Sequence, residues 1–433
     1  MKQKIKVLFT DLAYLEKNYG SQAIAFSFME KFSEYFDAEY CFVLPENYYK
    51  DNLSFAKRHN FTIVASPNPM IVLSECSLLF YVLYGLAKFL IRGKKPVTKR
   101  EKKQYISLVE QLKKSDVVID LSGIEFIGNV NLRRRYANYI NFVYMQRLSR
   151  KYHKPYFKYT KSYGPFPHRL HKSLAKKQLN KVPFVFVRGE KNLEEIKKLK
   201  LKNPVYSFPD ISISMNPGNK SWAEGHLSRL GINISKPIIG LSPSTVIAET
   251  KTDSINSSCD QNHIELCKQI IKFFQSKNQQ ILLIPHSIDD GEDISCCDLA
   301  LSKKIYSELQ NKKNVFLLPD MLLTYKQVRA IIGLLNFYIT GRYHGLSSAL
   351  SMNIPVIALS WHIKYKDMMS LFLDDFLSID CRTSGVQGSL SLIEKYYKKR
   401  DWFNEDKVKE RKKKVLKKIN ESMEILVKSI KKQ

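Results

Sequence analysis

With 433 residues the chain is too long for one ordinary hydrophobic core, so two or three domains are expected. Apolar residues make up 44% and charged residues 26%, a globular balance that excludes a disordered or fibrous chain. The 70 Lys and Arg against 41 Asp and Glu leave a formal charge of +29, which favours anionic partners such as phosphorylated metabolites or a membrane face, unless it only reflects lysine-rich coding. No compact basic-aromatic module, zinc-finger spacing or helix-turn-helix pattern is visible, so no nucleic-acid partner is expected. The 7 cysteines form no CxxC pair, and the adjacent Cys296 and Cys297 suit neither a zinc site nor a common disulfide, so reduced thiols in the cytosol are expected.

Taken in chain order, Met1 to Phe9 reads as a short lysine-flanked strand whose apolar run is too brief for a signal peptide, which predicts a cytoplasmic protein. Further strand-like runs are Cys41–Leu44, Phe61–Val64, Val117–Leu121, Tyr156–Thr160, Phe184–Val187 and Val205–Phe208. Between them, Ile71 to Ile91 is strongly apolar and is followed by Arg92, Lys94, Lys95, Lys99, Arg100, Lys102 and Lys103. About a dozen residues separate Glu75 from Lys88, against the roughly 20 that a helical span needs. The segment 71–103 therefore reads as a basic apolar insertion, either buried at a domain edge or lying on the inner face of a membrane as a peripheral contact.

A polar stretch opened by Asn216-Pro217-Gly218-Asn219 and closed by Lys236-Pro237 predicts the domain break between 215 and 237. Strands then recur at Ile238–Leu241, Ile281–Ile284, Val315–Leu318, Phe337–Ile339 and Val356–Leu359. Continuous apolar runs alternating with helices describe parallel strands covered on both faces, so the expected fold class is α/β with two Rossmann-like doubly wound domains, 1–215 and 237–400. The tail, 401–433, reads as one amphipathic helix with Val408, Val415, Ile419, Met423, Leu426 and Ile430 on a stripe, packed back onto the chain or lying on a membrane. Asp289, Asp290, Glu292 and Asp293 lack the glycine-spaced pattern of a calcium loop and read as solvated, so no metal is expected.

The most informative stretch is FYITGRYHGLSSALSMNIPVIALSWHIKYK, Phe337 to Lys366. An apolar strand ends at Thr340, and Gly341-Arg342-Tyr343-His344-Gly345 turns into a helix expected to start near Leu346. In open α/β sheets ligands collect at the carboxyl ends of strands, where helix N-termini present unpaired N–H groups. Arg342 can hold a phosphate or carboxylate in bidentate fashion. His344 changes protonation near neutral pH and suits general acid work or anion binding. Gly341 and Gly345 would let backbone approach a ligand. The competing reading is a turn in which Arg342 and His344 merely cap carbonyls.

This stretch resembles the polysaccharide pyruvyl transferases, which carry Arg-x-His after a strand, a helix of small residues, P-x-I-x-L and then a lysine. Here these are Arg342, His344, LSSALSMN, Pro355-Val356-Ile357-Ala358-Leu359 and Lys364. The N-terminal glycine turn of the family is similar to Asn18-Tyr19-Gly20-Ser21-Gln22-Ala23, and its Gly-Pro-Phe loop to KPYFKYTKSYGPF, Lys154 to Phe166. Arg188, after FVFV, matches a strand-end arginine, and Pro285-His286 with Asp289-Asp290 matches a further loop. The resemblance covers about residues 5 to 380. Departures are Asp120-Leu121-Ser122-Gly123-Ile124-Glu125 where relatives have several glycines, Arg188-Gly189-Glu190 for the usual Arg-Asp, and Pro209-Asp210-Ile211 for an Asp-Pro loop; they bear on the acceptor more than on the donor.

The resemblance implies a GT-B-like arrangement with the two domains facing a central cleft, the first on the acceptor side and the second on the donor side. It implies phosphoenolpyruvate as donor, a sugar diol of a cell-surface glycan as acceptor, free or lipid-linked, and a pyruvate ketal as product, with no cofactor. Arg342, Arg188 and Lys364 would hold the donor, His344 would be the general acid, and His286 would bind phosphate or take the acceptor's proton, unless it is an ordinary strand-end histidine. Gly20, Ser21, Gly341 and Gly345 complete the expected substrate-binding set. The rival functions are a GT-B glycosyltransferase using a nucleotide sugar and a non-catalytic member of a polysaccharide-assembly system. Against the first, no Asp or Glu follows His344 before Asp367, where a ribose contact would be expected.

Overall fold

The computed structural model describes residues 2–12, 15–69, 71–72, 98–126, 132–249, 259–288, 297–319, 323–399 and 402–433. Most of the basic apolar insertion 71–103 and the whole of Asp289, Asp290, Glu292 and Asp293 lie outside the described residues, as does Cys296. The chain divides into two compact units: unit 1 is Met1–Glu16, Phe28–Asp210 and Lys418–Gln433, and unit 2 is Lys17–Ser27 and Ile211–Lys417. The sequence puts the break at 215–237; in the structure Ile211 already belongs to unit 2, and a short N-terminal piece joins it. That piece is held by backbone: Tyr19 N–H donates to the His286 carbonyl at 3.1 Å and Ile288 N–H to that of Lys17 at 2.7 Å.

In unit 1 the strands are β1 (Gln3–Thr10), β2 (Phe36–Pro45), β3 (Thr62–Ser66), β4 (Val117–Asp120), β5 (Ile124–Glu125), β6 (Tyr156–Lys158), β7 (Ser162–Tyr163), β8 (Val185–Val187) and β9 (Val205–Ser207). Five of them form a parallel sheet in the order β3-β2-β1-β4-β6, and β5-β7 and β8-β9 are separate parallel pairs. Unit 2 has β10 (Ile238–Ser242), β11 (Gln280–Leu283), β12 (Val315–Leu317), β13 (Phe337–Thr340), β14 (Val356–Leu359) and β15 (Ser378–Ile379), in the parallel order β12-β11-β10-β13-β14-β15. Both are the doubly wound order in which the chain leaves the middle strand in one direction and later returns to its other side. The strand-like runs read from the sequence each overlap an observed strand. The central strands β4, β10, β11, β13 and β14 are buried along their whole length, as unbroken apolar runs require.

Buried polar residues stand at the carboxyl ends of the central strands: Thr10 and Asp120 in unit 1, Ser242 and Thr340 in unit 2, each 0% exposed. They mark each sheet's switch point, where Thr10 pairs with Asp120 and Ser242 with Thr340. The tail is a helix, Glu405–Lys431, with Val408, Val415, Ile419, Met423 and Leu426 buried. At about 1.5–3 kcal/mol each, that stripe is worth on the order of 10 kcal/mol of burial. Within unit 2, Lys407 and Arg411 both reach Asp374; within unit 1, Ser422 Oγ lies 2.6 Å from the Tyr159 hydroxyl.

Candidate functional site

At the switch point of unit 2 two loops leave adjacent strands. After β10 the chain runs Pro243-Ser244-Thr245, and after β13 it runs Gly341-Arg342 into the helix Tyr343–Ser351. The helix begins at Tyr343, three residues earlier than the expected Leu346. The reason is local: Arg342 is the extended N-cap residue, its N–H donates to Thr340 Oγ1 at 3.0 Å, and its carbonyl accepts from Leu346 N–H at 3.0 Å. Arg342 therefore stands at the helix N-terminus and His344 in its first turn, where the helix dipole favours an anion.

The Arg342 guanidinium is positioned by a residue the sequence reading misses. Its Nη2 donates to Thr245 Oγ1 at 2.8 Å and pairs with Asp298 Oδ1. Asp298 is wholly buried and also accepts the N–H groups of Thr245, His286 and Ser287 at 3.1, 3.3 and 2.9 Å. One carboxylate thus ties together the loops after β10 and β11 and fixes one edge of the arginine. The side chain is 18% exposed, and its Nε–H is buried with no hydrogen-bond partner among the described residues. A buried N–H costs about 1–3 kcal/mol if left unmet, so this is an anion donor in waiting. Asp298 opens the helix Asp298–Ser307 after Cys297, an acid in a first turn, but its pairing with Arg342 cannot be read from that pattern.

His286 is buried, and its Nε2 lies 3.0 Å from the Tyr338 hydroxyl, which in turn bonds Ser242 Oγ. Burial pulls its pKa down to about 4, with Asp298 raising it and Arg342 lowering it. The imidazole is therefore neutral near pH 7. His263, on the helix Cys259–Ser276, is likewise buried, lowered to about 4, and accepts the Ser244 N–H at 3.1 Å.

Each of the predicted glycines lies against other protein groups. A Cβ on Gly345 would stand 2.7 Å from Thr340 Oγ1 and 2.9 Å from His286 Nε2 and the Tyr338 hydroxyl. On Gly341 it would meet Ser244 Cβ at 2.7 Å. On Gly20 it would overlap His344 Nδ1 and come within 3.0 Å of Cγ, so only glycine lets the N-terminal turn press against that imidazole. Ser21 N–H, next in that turn, donates to Asn18 Oδ1 at 3.0 Å. Lys364 opens the helix Lys364–Ser370, with its ammonium 4.5 Å from the Trp361 ring centre, 5.3 Å from Tyr343 and 5.7 Å from Tyr365. The Tyr365 hydroxyl donates to the Gly341 carbonyl at 2.8 Å, tying that helix to the Arg342 turn.

Eight of the nine expected site residues, Gly20, Ser21, His286, Gly341, Arg342, His344, Gly345 and Lys364, thus belong to unit 2. Arg188 belongs to unit 1, where it is buried, pairs with Asp210 at 2.9 Å and donates to the Gly123 carbonyl at 3.3 Å.

Comparison with solved structures defines the class. The UDP-GlcNAc 2-epimerase from Neisseria meningitidis, bound to UDP-GlcNAc, is similar at TM-score 0.54 and 10% identity over 100% of both chains. S. aureus MnaA, in a co-structure with UDP, gives 0.55 at 10% identity over 94% of this chain and 91% of that one. The UDP-GlcNAc 2-epimerase from Methanocaldococcus jannaschii gives 0.51 at 9% over 90% and 92%. At such identity the likeness shows the fold alone, a GT-B-like α/β protein with two doubly wound sheets. No curated protein matches the chain. The family is shown by the sequence model for polysaccharide pyruvyl transferase, which matches residues 18–363: the chain belongs to that family and is a transferase.

Proposed function

We propose that the chain transfers the pyruvyl group of phosphoenolpyruvate to a sugar diol of a cell-surface polysaccharide or its precursor. The observation that carries the donor is the Arg342 Nε–H, buried without a partner among the described residues at a helix N-terminus while Asp298 fixes the guanidinium's other edge. A phosphate or carboxylate oxygen would supply the missing acceptor. Lys364 adds positive charge held on three aromatic faces.

In this reading His344 protonates the C3 methylene of the enol, leaving an oxocarbenium-like C2 that one sugar hydroxyl attacks. The second hydroxyl displaces phosphate from C2, closing the ketal. Phosphoenolpyruvate and a diol thereby give a pyruvate ketal and one phosphate, with no cofactor. Gly20 lies against the imidazole, Gly20 and Ser21 are candidate substrate contacts, and neutral His286 supports the turn through Tyr338. The acceptor belongs to exopolysaccharide and cell-envelope biosynthesis, with unit 1 as its side of the protein. We place the reaction in the cytoplasm, with peripheral membrane contact through the basic apolar stretch 71–103 where the acceptor is lipid-linked. None of the described helices is long and apolar enough to cross a membrane.

The test is phosphate release from phosphoenolpyruvate over a panel of free and lipid-linked glycans, with mass spectrometry of the product. Expected is release that depends on the glycan, together with calorimetric binding of phosphoenolpyruvate that Arg342→Ala abolishes. Release of a nucleotide from sugar nucleotides instead, or undiminished binding by Arg342→Ala, overturns the reading.

A further inference from the structure

The switch point of unit 1 has a different chemistry from that of unit 2. Directly after β1, Asp11 sits in the left-handed region at φ 63°, a conformation that Asp tolerates better than most residues. Four wholly buried ionic side chains act on it: Asp120, Glu125, Lys158 and Lys161. Lys158 pairs with Asp120 at 3.0 Å and Glu125 at 2.7 Å, and Lys161 pairs with Glu125 at 3.0 Å and with Asp120. Two ammonium groups therefore answer two carboxylates. Asp11 is the third carboxyl and has no ion-pair partner among the described residues; its Oδ2 is buried without a hydrogen bond among them.

Asp11 also lines a cavity of about 560 Å³ at the carboxyl ends of β1, β2 and β3. Its polar walls include Glu46, Asn68, Gln104, Asn141 and Tyr144. In a chain with 70 Lys and Arg, none is found among the described lining residues. Among the described lining residues a phosphate or carboxylate would meet carboxyls, amides and hydroxyls. Of the other acids on the wall, Glu46 is taken by Arg100 and Gln104, and Glu101 by its cap contacts with Thr98 at 2.8 and 3.0 Å. Burial and Asp120 push the Asp11 carboxyl up to about 7, against the pull of Lys161 and Lys158, so near neutral pH it can both accept and donate a proton. Hydroxyl groups, which are donor and acceptor at once, match such a wall, and the volume lies within the range of small-molecule sites. A larger cavity of about 850 Å³ in the same unit sits at the amino ends of the strands and is lined by Lys4, Arg150, His153, Lys154 and Lys181. It has the opposite charge and does not reach the switch point.

We propose that the cavity beside Asp11 binds a neutral sugar unit, with the Asp11 carboxyl hydrogen-bonded to a sugar hydroxyl. The proposal rests on the transferase reading only for naming that sugar as part of the glycan acceptor. Saturation-transfer NMR on the full chain, with methyl glycosides of hexoses and N-acetylhexosamines as probes, tests it. Transfer to the ring protons of at least one glycoside is expected, weakened tenfold or more by Asp11→Asn. Because Asp11 is part of the buried network, Asn141→Trp provides a second variant: Asn141 is exposed on the helix Leu132–Lys151 and the indole would plug the cavity without touching the ion pairs. Arg342→Ala should keep glycoside binding, and phosphoenolpyruvate binding that survives Arg342→Ala would sink the donor assignment alone. No transfer to any glycoside, transfer unchanged in both cavity variants, or displacement of a bound glycoside by spermidine overturns the sugar site.

Discussion

The two sheets share one strand order and bury polar residues at the same place, yet their switch points are of opposite character. In unit 2 a carboxylate, Asp298, serves a cation that keeps an N–H edge unfilled among the described residues. In unit 1 two lysines serve two carboxylates and leave a third, Asp11, without a cation among the described residues. The architecture offers a crevice in both cases. Which ligand enters is set by the charge left over once the local pairs are counted.

The sharpest way to break the contrast is to remove the unit 2 cation or acid. His344→Ala should lower kcat by about 10²–10⁴-fold, the usual worth of a general acid. Arg342→Ala should cost a comparable factor in kcat/KM with phosphoenolpyruvate binding lost, and circular dichroism should show both variants folded. Equal losses in the two variants with donor binding intact would mean that the turn only caps carbonyls.

Next in size is the unit 1 network. Lys158 is held protonated by Glu125 and Asp120, which outweigh its burial, and Lys161 and Lys158 together outweigh burial to hold Asp120 well below the usual carboxylate range. Lys158→Met leaves buried carboxylates short of one partner and should cost about 3–5 kcal/mol. Denaturant unfolding of the full chain would show it. A loss below about 1 kcal/mol would mean that the cluster is open to water.

The units should also answer pH in opposite directions. His286 and His263 stay neutral in the fold down to about 4, whereas an unfolded histidine takes up a proton near 6.5. Below about 6.5 the unfolded chain binds more protons, so unit 2 loses stability as pH falls toward 4. Asp11 keeps its proton in the fold up to about 7 against 3.8 unfolded, so unit 1 loses stability as pH rises through about 4 to 7. Thermal melts across pH 4.5 to about 8 should show Asp11→Asn raising Tm at the alkaline end only, and His286→Asn flattening the acid limb.

How far the sequence speaks follows from the range of the interactions. Parallel strands announce themselves as unbroken apolar runs, because each is buried on both faces, and Arg342 with His344 stands in one short turn after such a run. Three things stay hidden. Asp298 meets Arg342 from 44 residues away, the excess carboxyl at Asp11 emerges only after Lys158 and Lys161 are paired, and the early helix start depends on a side-chain bond from Thr340. Lys158 and Lys161 lie inside a motif that is visible in the sequence, yet lysines in an apolar strand give no sign of which acids they will meet. Glycine is similar: Gly20, Gly341 and Gly345 are legible as special positions, but the groups pressed against them belong to other segments.

Gly20 gives the smallest and most discriminating effect. A methyl group there overlaps His344 Nδ1, and the neighbouring backbone is fixed by Tyr19 N–H bonding the His286 carbonyl, so the imidazole must move rather than the turn. Gly20→Ala should therefore reduce kcat roughly tenfold, about 1.4 kcal/mol of barrier, while KM for phosphoenolpyruvate stays close to wild type. A merely structural contact would instead lower Tm and leave kcat unchanged in the folded fraction. The split between kcat and KM separates an acid displaced from its working position from a glycine that only packs.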